Sequence, residues 1–226
     1  MKQLALTLAA PPAPSLDNFV AGGNAEVLAA LRALVSGDSR ERMLLLWGAP
    51  GSGRSHLLQA VVAAMRAAGR NTTFAAAAVP EIAEDGVLGI DDVQRLDAEA
   101  QIALFNAFNR LKEGGGVLIA TADAPPARLV LRADLQTRLA SGLVYEVHAL
   151  SDEDRRAAVA GYAAARGFVL PAEVTEYLLA RVPRDLATLR ALVDTLDRTS
   201  LEQKRAVTVP LAREVLQLLN ESDGVK

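Results

Sequence analysis

Residues 48–55, with the sequence GAPGSGRS, match the phosphate-binding pattern G-x-x-x-x-G-K-[ST] at every fixed position except one, where Arg54 replaces lysine. Glycine lets backbone N–H groups curl around a phosphate, and the N-terminus of the following helix adds partial positive charge. In this pattern the last hydroxyl, here that of Ser55, binds Mg²⁺. The segment predicts a phosphate-binding loop (P-loop), and the alternative is an ordinary Gly/Pro-rich turn without a ligand. The predicted nucleotide contacts are Gly48, Gly51, Ser52, Gly53, Arg54 and Ser55.

The arginine at position 54 changes what chemistry the loop is expected to support. Arginine holds phosphate oxygens, even in a bidentate way, but its planar fork does not reproduce the compact ammonium that follows the β- and γ-phosphate oxygens. We therefore expect nucleotide binding to be retained and intrinsic hydrolysis to be weak.

Two acidic sites follow strands elsewhere in the chain. Asp91 and Asp92 come directly after the apolar run 87–90, and Asp123 follows the apolar run 117–121. Because parallel strands end at one edge of a sheet, these carboxylates are expected near the P-loop. Asp91 would hold Mg²⁺ through water and Asp92 would orient the attacking water. The alternative is an acidic strand end or helix cap.

The elements that must position these residues alternate between strand and helix. The apolar run 43–47 predicts a buried strand before the P-loop, and 55–65 predicts a helix after it. Further strands are predicted at 72–77, 87–90, 117–121 and 143–147, with a helix from the Asp97 cap to the glycines at 114–116. Beyond Leu150 only helices are predicted, at 151–166, 171–181, 185–199 and 210–219, the first opened by a capping box at 151–154. The predicted fold class is α/β, a P-loop parallel-sheet domain followed by a small all-α lid domain.

Composition excludes several classes of protein. The 226 residues are 51% hydrophobic, contain no cysteine and carry a net charge of −3, with an isoelectric point near 5.5. The absence of cysteine excludes a disulfide scaffold, and the acidic balance disfavours direct DNA binding. No apolar run approaches the roughly 18 residues of a membrane span.

The start, 1–10, resembles a secretory signal, but Gln3 and Thr7 interrupt its apolar run, and we expect a cytoplasmic protein.

Four segments together resemble a known family. They are 15–24 (SLDNFVAGGN), the P-loop, Asp91-Asp92 and 121–123 (TAD), and they are similar to the AAA+ module of the DnaA family from about residue 15 to residue 219. The printed sequence has no helix-turn-helix pattern after the lid. The segments 54–58 (RSHLL), 150–154 (LSDED) and 3–8 (QLALTL) resemble Hda, the DnaA-related regulatory inactivators of that group.

The resemblance implies roles for further residues. Arg138 is similar to the arginine finger, which would act in trans on ATP held by a partner, and Arg184 to the sensor 2 arginine of the lid. Asp123 occupies the sensor 1 position. Asp92 stands where most AAA+ ATPases have the longer glutamate. For each arginine the alternative is a solvated helical side chain. The resemblance adds three nucleotide contacts, Phe19, Val20 and His56.

The N-terminal segment resembles a peptide that docks on the replicative sliding clamp. Gln3 would hydrogen-bond at a pocket rim while Leu4, Leu6 and Leu8 anchor an extended peptide in an apolar groove. The Pro-rich residues 9–15 would hold it away from the folded body. The alternative is a frayed terminus or an edge strand.

The resemblance implies a negative regulator of replication initiation, tethered to the clamp, that stimulates hydrolysis of ATP bound to DnaA and itself binds ADP or ATP with Mg²⁺. Its expected partners are DnaA and the DNA polymerase III sliding clamp (beta subunit), with DNA contacted only through the clamp, no membrane contact, and scope for a homo-oligomer. The expected domains are 1–14 (peptide and spacer), 15–149 (AAA+ domain) and 150–222 (lid). The alternatives are a self-sufficient AAA+ ATPase of the DnaA/DnaC helicase-loader group and a DNA-binding initiator fragment.

Overall fold

The computed structural model describes residues 12–182 and 186–223. The chain divides into a larger unit, Ala13–Leu150, and a helical unit that begins at Ser151. Each unit has its own apolar core.

The larger unit contains a five-stranded parallel sheet with the strand order β2-β3-β4-β1-β5. All six side chains of β4 and the first four of β1 are buried, which is typical of parallel strands covered on both faces. The strands are β1 (Met43–Trp47), β2 (Thr72–Ala75), β3 (Val87–Ile90), β4 (Val117–Ala122) and β5 (Leu143–Glu146). The predicted parallel-sheet domain is confirmed.

Helices cover both faces of this sheet. On one face, α1 (Ala25–Ser36) and α2 (Arg54–Ala67) pack their leucines and valines against β1, β3 and β4. On the other face, α3 (Ala98–Gly114) and α4 (Ala133–Ala140) form a second core with the same strands. The helix that follows the P-loop and α4 therefore lie on opposite faces of the sheet.

Most element boundaries agree with the patterns in the sequence. The strands at 43–47 and 87–90 have the predicted bounds, β4 extends one residue further to Ala122, and β2 ends at Ala75 instead of residue 77. The predicted Asp97 cap is confirmed, since its side chain accepts the N–H of Ala100 at 2.8 Å. Helix α4 was not predicted, because its eight residues carry only two buried apolar side chains, Leu135 and Leu139.

The second unit is formed by helices. These are α5 (Asp152–Ala165), α6 (Ala172–Leu179), α7 (Leu186–Gln203) and α8 (Val209–Asp223). The predicted capping box is confirmed: the Asp154 N–H donates to Ser151 Oγ at 3.0 Å, and the Ser151 N–H donates to Asp154 at 3.3 Å. In the part of the chain that the structure describes, no helix is long and apolar enough to cross a membrane.

Candidate nucleotide-binding site

The P-loop follows β1 at the carboxyl edge of the sheet, and its glycines are required by their surroundings. Gly48 donates its N–H to the carbonyl of Ala122 at 3.2 Å, and a Cβ on Gly48 would lie 2.3 Å from the backbone oxygen of Val147. Gly53 has φ +99°, and a Cβ there would lie 2.7 Å from the ring of Phe19. A side chain at position 48 would therefore force the backbone to move, and one at position 53 would displace the Phe19 ring and strain a left-handed backbone.

One buried polar atom of the loop is unsatisfied. The Ser52 side chain is 5% exposed, and its hydroxyl has no hydrogen-bond partner within residues 12–182 and 186–223. A buried hydroxyl without a partner is costly, so such an atom in a loop of this type suits an anionic ligand that would accept its proton. The loop thus fits the phosphate for which its sequence pattern is known.

Ser55 and Asp91 lie side by side, as predicted for a magnesium site. Ser55 Oγ donates to Asp91 Oδ1 at 3.0 Å. Hydroxyl and carboxylate oxygens are the hard ligands that Mg²⁺ prefers, and this ion commonly takes only one or two protein ligands. The two side chains therefore fit the ion chemically.

Thr121 was not assigned a role from the sequence, yet it belongs to the same cluster. It is fully buried, its Oγ1 donates to Asp91 Oδ1 at 2.5 Å, and the backbone N–H of Asp92 donates to Oγ1 at 2.8 Å. The sequence feature that could have revealed this role is a hydroxyl within the otherwise apolar run 117–122, every residue of which is buried.

Arg54 is buried, and its charge is directed to the ends of β3 and β4. The guanidinium donates to the carbonyl of Ala122 and lies 3.7 Å from Asp92 Oδ1, while Arg95 lies 3.7 Å from the other oxygen of the same carboxylate. Such a partner is needed because an unpaired buried charge is costly. Asp92 is therefore engaged by two cations in this structure.

The segment before α1 supplies the side chains next to the loop. The Phe19 ring is tilted at 45° to that of His56 with centroids 5.7 Å apart, and a ring nitrogen of His56 lies 3.1 Å from the carbonyl of Ser15. Val20, the residue after Phe19, is partly buried. The structure thus brings Phe19 and His56, both predicted nucleotide contacts, to Gly53.

The same segment is tied to the end of β5. The buried Asn24 side chain donates to the carbonyl of His148 at 2.8 Å and accepts its N–H at 2.7 Å. This pair of hydrogen bonds fixes where the chain enters α1.

Other predicted site residues are less closely joined to this cluster. Asp123 is exposed just beyond Ala122, the last residue of β4. Arg184 and the peptide residues Gln3, Leu4, Leu6 and Leu8 lie outside the described residues.

Arg138 lies in α4, whose Leu135 and Leu139 pack into the core on the face of the sheet opposite to α2, the helix that follows the P-loop. The Arg138 guanidinium lies 5.6 Å from the centroid of the Phe105 ring.

An exposed ion pair lies at the start of α4. Arg132 donates to Asp134 at 2.8 Å, and this hydrogen bond lowers the pKa of the Asp134 carboxyl.

Comparisons with known proteins agree with this architecture. A family model described as the Hda lid domain matches residues 152–216, and one described as the bacterial DnaA ATPase domain matches residues 75–146. Among solved structures, domain III of the replication initiation protein DnaA from Thermotoga maritima is 23% identical, with a TM-score of 0.73 over 92% of this chain and 98% of that one.

Two further structures extend the comparison. AMPPCP-bound DnaA from Aquifex aeolicus is 21% identical, with a TM-score of 0.69 over 86% of this chain and 68% of that one. The Holliday junction branch migration motor RuvB from Thermotoga maritima is 17% identical, with a TM-score of 0.65 over 92% of this chain and 72% of that one. At these identities the structures establish the fold, and the two family models add the closer relationship. The two family models match separate parts of the chain, and together they support an Hda-like, DnaA-related AAA+ protein.

Proposed function

We propose that this protein is a negative regulator of replication initiation that is tethered to the sliding clamp and stimulates hydrolysis of ATP bound to DnaA. The observation that carries the proposal is the position of Arg138 in α4, on the face of the sheet opposite to α2, the helix that follows the P-loop of its own chain. An arginine so placed is suited to a nucleotide held by a neighbouring molecule.

The proposed role of Arg138 follows from its charge. Negative charge spreads over the phosphoryl oxygens as the terminal phosphate of ATP leaves, and an arginine supplied from outside stabilises that charge. Phe105 holds the guanidinium against the surface of α3 through a cation–π contact, which reduces the number of orientations that it can adopt. The protein would thus contribute a catalytic group to a site that belongs to its partner.

The protein's own nucleotide would have a structural role. ADP or ATP would lie on the P-loop with Phe19, Val20 and His56 beside it, and Ser55 and Asp91 would hold Mg²⁺. The ion supplies positive charge that neutralises phosphate oxygens. Asp123 as sensor 1 and Arg184 as sensor 2 complete the proposed set. The AMPPCP bound by the Aquifex aeolicus DnaA is consistent with an adenine nucleotide here.

The pairing of Arg54 with Asp92 supports weak turnover at this site. Asp92 is the proposed water-orienting carboxylate, and both of its oxygens face arginines in the structure. The two nearby cations would compete with water for this carboxylate, which is also one methylene shorter than the usual glutamate.

The isolated protein is therefore expected to bind ADP and to hydrolyse ATP very slowly. Calorimetry with ADP and a phosphate-release assay with ATP measure the two properties. A turnover rate comparable with that of ordinary AAA+ ATPases, or no affinity for adenine nucleotides, would contradict the expectation.

The proposal as a whole is tested with ATP-loaded DnaA. Hydrolysis of the DnaA-bound nucleotide is followed with and without this protein, in the presence of DNA-loaded clamp. Stimulation that requires both the protein and the clamp supports the proposal. Unchanged hydrolysis on DnaA, with this protein correctly folded and nucleotide-bound, would refute it.

Tethering is assigned to residues 1–14. The double variant Gln3→Ala/Leu6→Ala is expected to lose clamp binding while ADP affinity and melting temperature stay at wild-type values, because the Pro-rich spacer separates the peptide from the fold. Surface plasmon resonance on immobilised clamp measures the loss. A melting temperature several degrees lower would show that the segment is a structural strand instead.

A second candidate function is a self-sufficient AAA+ ATPase of the helicase-loader group. It is favoured by the hydrogen bond between Ser55 and Asp91, which brings together the two oxygen ligands that an active ATPase would use for its metal. Rapid turnover by the chain alone, without effect on DnaA, would select this candidate.

The remaining parts of the proposal concern organisation and location. We assign residues 15–149 to the AAA+ domain and 150–222 to the lid, and place the protein in the cytoplasm, with DNA contacted only through the clamp. Sedimentation with and without ADP tests whether the protein forms a homo-oligomer.

A further inference from the structure

A single hydroxyl, that of Thr121, joins the two acidic residues at the end of β3. It lies 2.5 Å from Asp91 Oδ1 and 2.8 Å from the backbone nitrogen of Asp92. A carboxylate only accepts hydrogen bonds and a backbone N–H only donates them. The one proton of the hydroxyl therefore goes to Asp91, and a lone pair accepts the N–H of Asp92. Both contacts use the same atom, so they are gained or lost together.

The contact with Asp92 also holds an unusual backbone conformation. Asp92 has φ +53° and ψ +57°, in the left-handed region that residues other than glycine rarely adopt. This conformation ends the strand and starts the short 3₁₀ turn Val93–Arg95. At the start of this turn, the Asp92 carboxylate lies 3.7 Å from the Arg54 guanidinium. A strained conformation persists only where surrounding contacts impose it, and the Thr121 hydroxyl provides one.

The contact with Asp91 fixes a carboxylate that is otherwise held by Ser55. In the part of the chain that the structure describes, the hydrogen bonds to the Asp91 carboxylate come from Ser55 and Thr121, and both reach Oδ1. Ser55 is itself a proposed metal ligand, whereas Thr121 is buried behind the strand ends with 0% exposure. Of the two donors, Thr121 is thus the one whose role is limited to holding the Asp91 carboxylate in place.

We propose that Thr121 is a positioning residue for the magnesium-bound nucleotide. It holds the Asp91 carboxylate beside the Ser55 hydroxyl and fixes the turn that carries Asp92, without itself touching the metal or the nucleotide. The inference rests on the proposed nucleotide site. Groups that orient metal ligands typically contribute about 10- to 100-fold to metal affinity.

The test compares Thr121→Val, which keeps the shape of the side chain and removes the hydroxyl, with Thr121→Ser, which keeps the hydroxyl. Binding of a fluorescent ADP analogue is measured across a Mg²⁺ titration and again in EDTA. We expect Thr121→Val to require about 10- to 100-fold more Mg²⁺ for half-maximal enhancement of binding, with unchanged affinity in EDTA. Thr121→Ser should remain within a few-fold of wild type.

The matched control is Thr195→Val in α7. Thr195 is also buried and donates its hydroxyl to the carbonyl of Ala191 at 2.8 Å, far along the chain from the P-loop. This variant should lose some stability and keep the wild-type Mg²⁺ dependence. If Thr121→Val does not fold, Thr121→Ala replaces it in the same titration.

The outcomes separate this inference from the function on which it rests. A wild-type protein that binds the ADP analogue without any Mg²⁺ dependence would refute the proposed metal site. A normal wild-type dependence that Thr121→Val preserves would refute only the role of Thr121. Equal weakening in EDTA and in Mg²⁺, or failure of both hydroxyl-free variants to fold, would show that Thr121 merely supports the sheet and would overturn the inference.

Discussion

Replacing Arg138 with alanine is expected to reduce the stimulation of DnaA-bound ATP hydrolysis by about 10³- to 10⁵-fold, the range known for arginine fingers. The variant should keep clamp binding, ADP affinity and melting temperature, because Arg138 is only partly buried and lies in α4, on the face of the sheet opposite to α2. The Arg138 charge would act only where negative charge develops on the partner's phosphate. Its removal would therefore destabilise the transition state and leave the bound state unchanged.

Two further variants make this experiment specific. Arg138→Lys should restore little, because a point charge lacks the planar fork that spans two phosphoryl oxygens. Arg70 lies just beyond the end of α2, is partly buried and donates to the carbonyl of Asp85, and Arg70→Ala should stimulate as the wild type does. Hydrolysis is followed with DNA-loaded clamp present. Full stimulation by Arg138→Ala would refute the finger assignment and the mechanism built on it.

Gly48→Ala is expected to lower ADP affinity by about 10- to 100-fold, the cost of losing one hydrogen bond to a charged group. The new Cβ would lie 2.3 Å from the backbone oxygen of Val147. A Cβ and a carbonyl oxygen are both fixed to the backbone, so neither can rotate away as the end of a side chain could. Either the P-loop or the end of β5 must move. Calorimetry with ADP measures the loss.

Gly161→Ala is the matched control for that variant. It makes the same chemical change within α5, where an added Cβ would meet nothing within 4 Å. ADP affinity should be unchanged, and alanine should favour the helix by about 0.5–1 kcal/mol. ADP binding by Gly48→Ala at the wild-type affinity would show that the loop tolerates displacement and is not a close-fitting phosphate site.

The parts of the molecule that sequence patterns predicted are those set by short-range chemistry. The buried run 43–47 and the glycines after it predict a strand and a P-loop, because few other structures use that order of residues. Asp97 was identified as a helix cap by its type, and Ser151 by its type together with Asp154 three positions later. Ser55 and Asp91 were expected to meet because parallel strands end at one edge.

The parts that were missed depend on tertiary contacts. Helix α4 presents only Leu135 and Leu139 to the core, a pattern too short to distinguish from a loop. Thr121 is polar inside a buried strand, and its role appears only when Asp91 is beside it. The pairing of Arg54 with Asp92 was not predicted, because it requires knowing how β3 ends, and the expected contact of Arg54 with phosphate stays a prediction.

The strand order has a consequence for how the protein forms during synthesis. β1 lies between β4 and β5, so Leu44 pairs with Ile119 on one side and with Leu143 on the other. Ribosomes add about 5–20 residues per second, so the roughly one hundred residues from β1 to β5 take several seconds to appear. Until β4 has been made, the apolar strand MLLLW has neither neighbour, and the sheet cannot close around it before β5 appears. The nascent chain thus exposes residues 43–47, the strand that leads into the P-loop, to aggregation during that time.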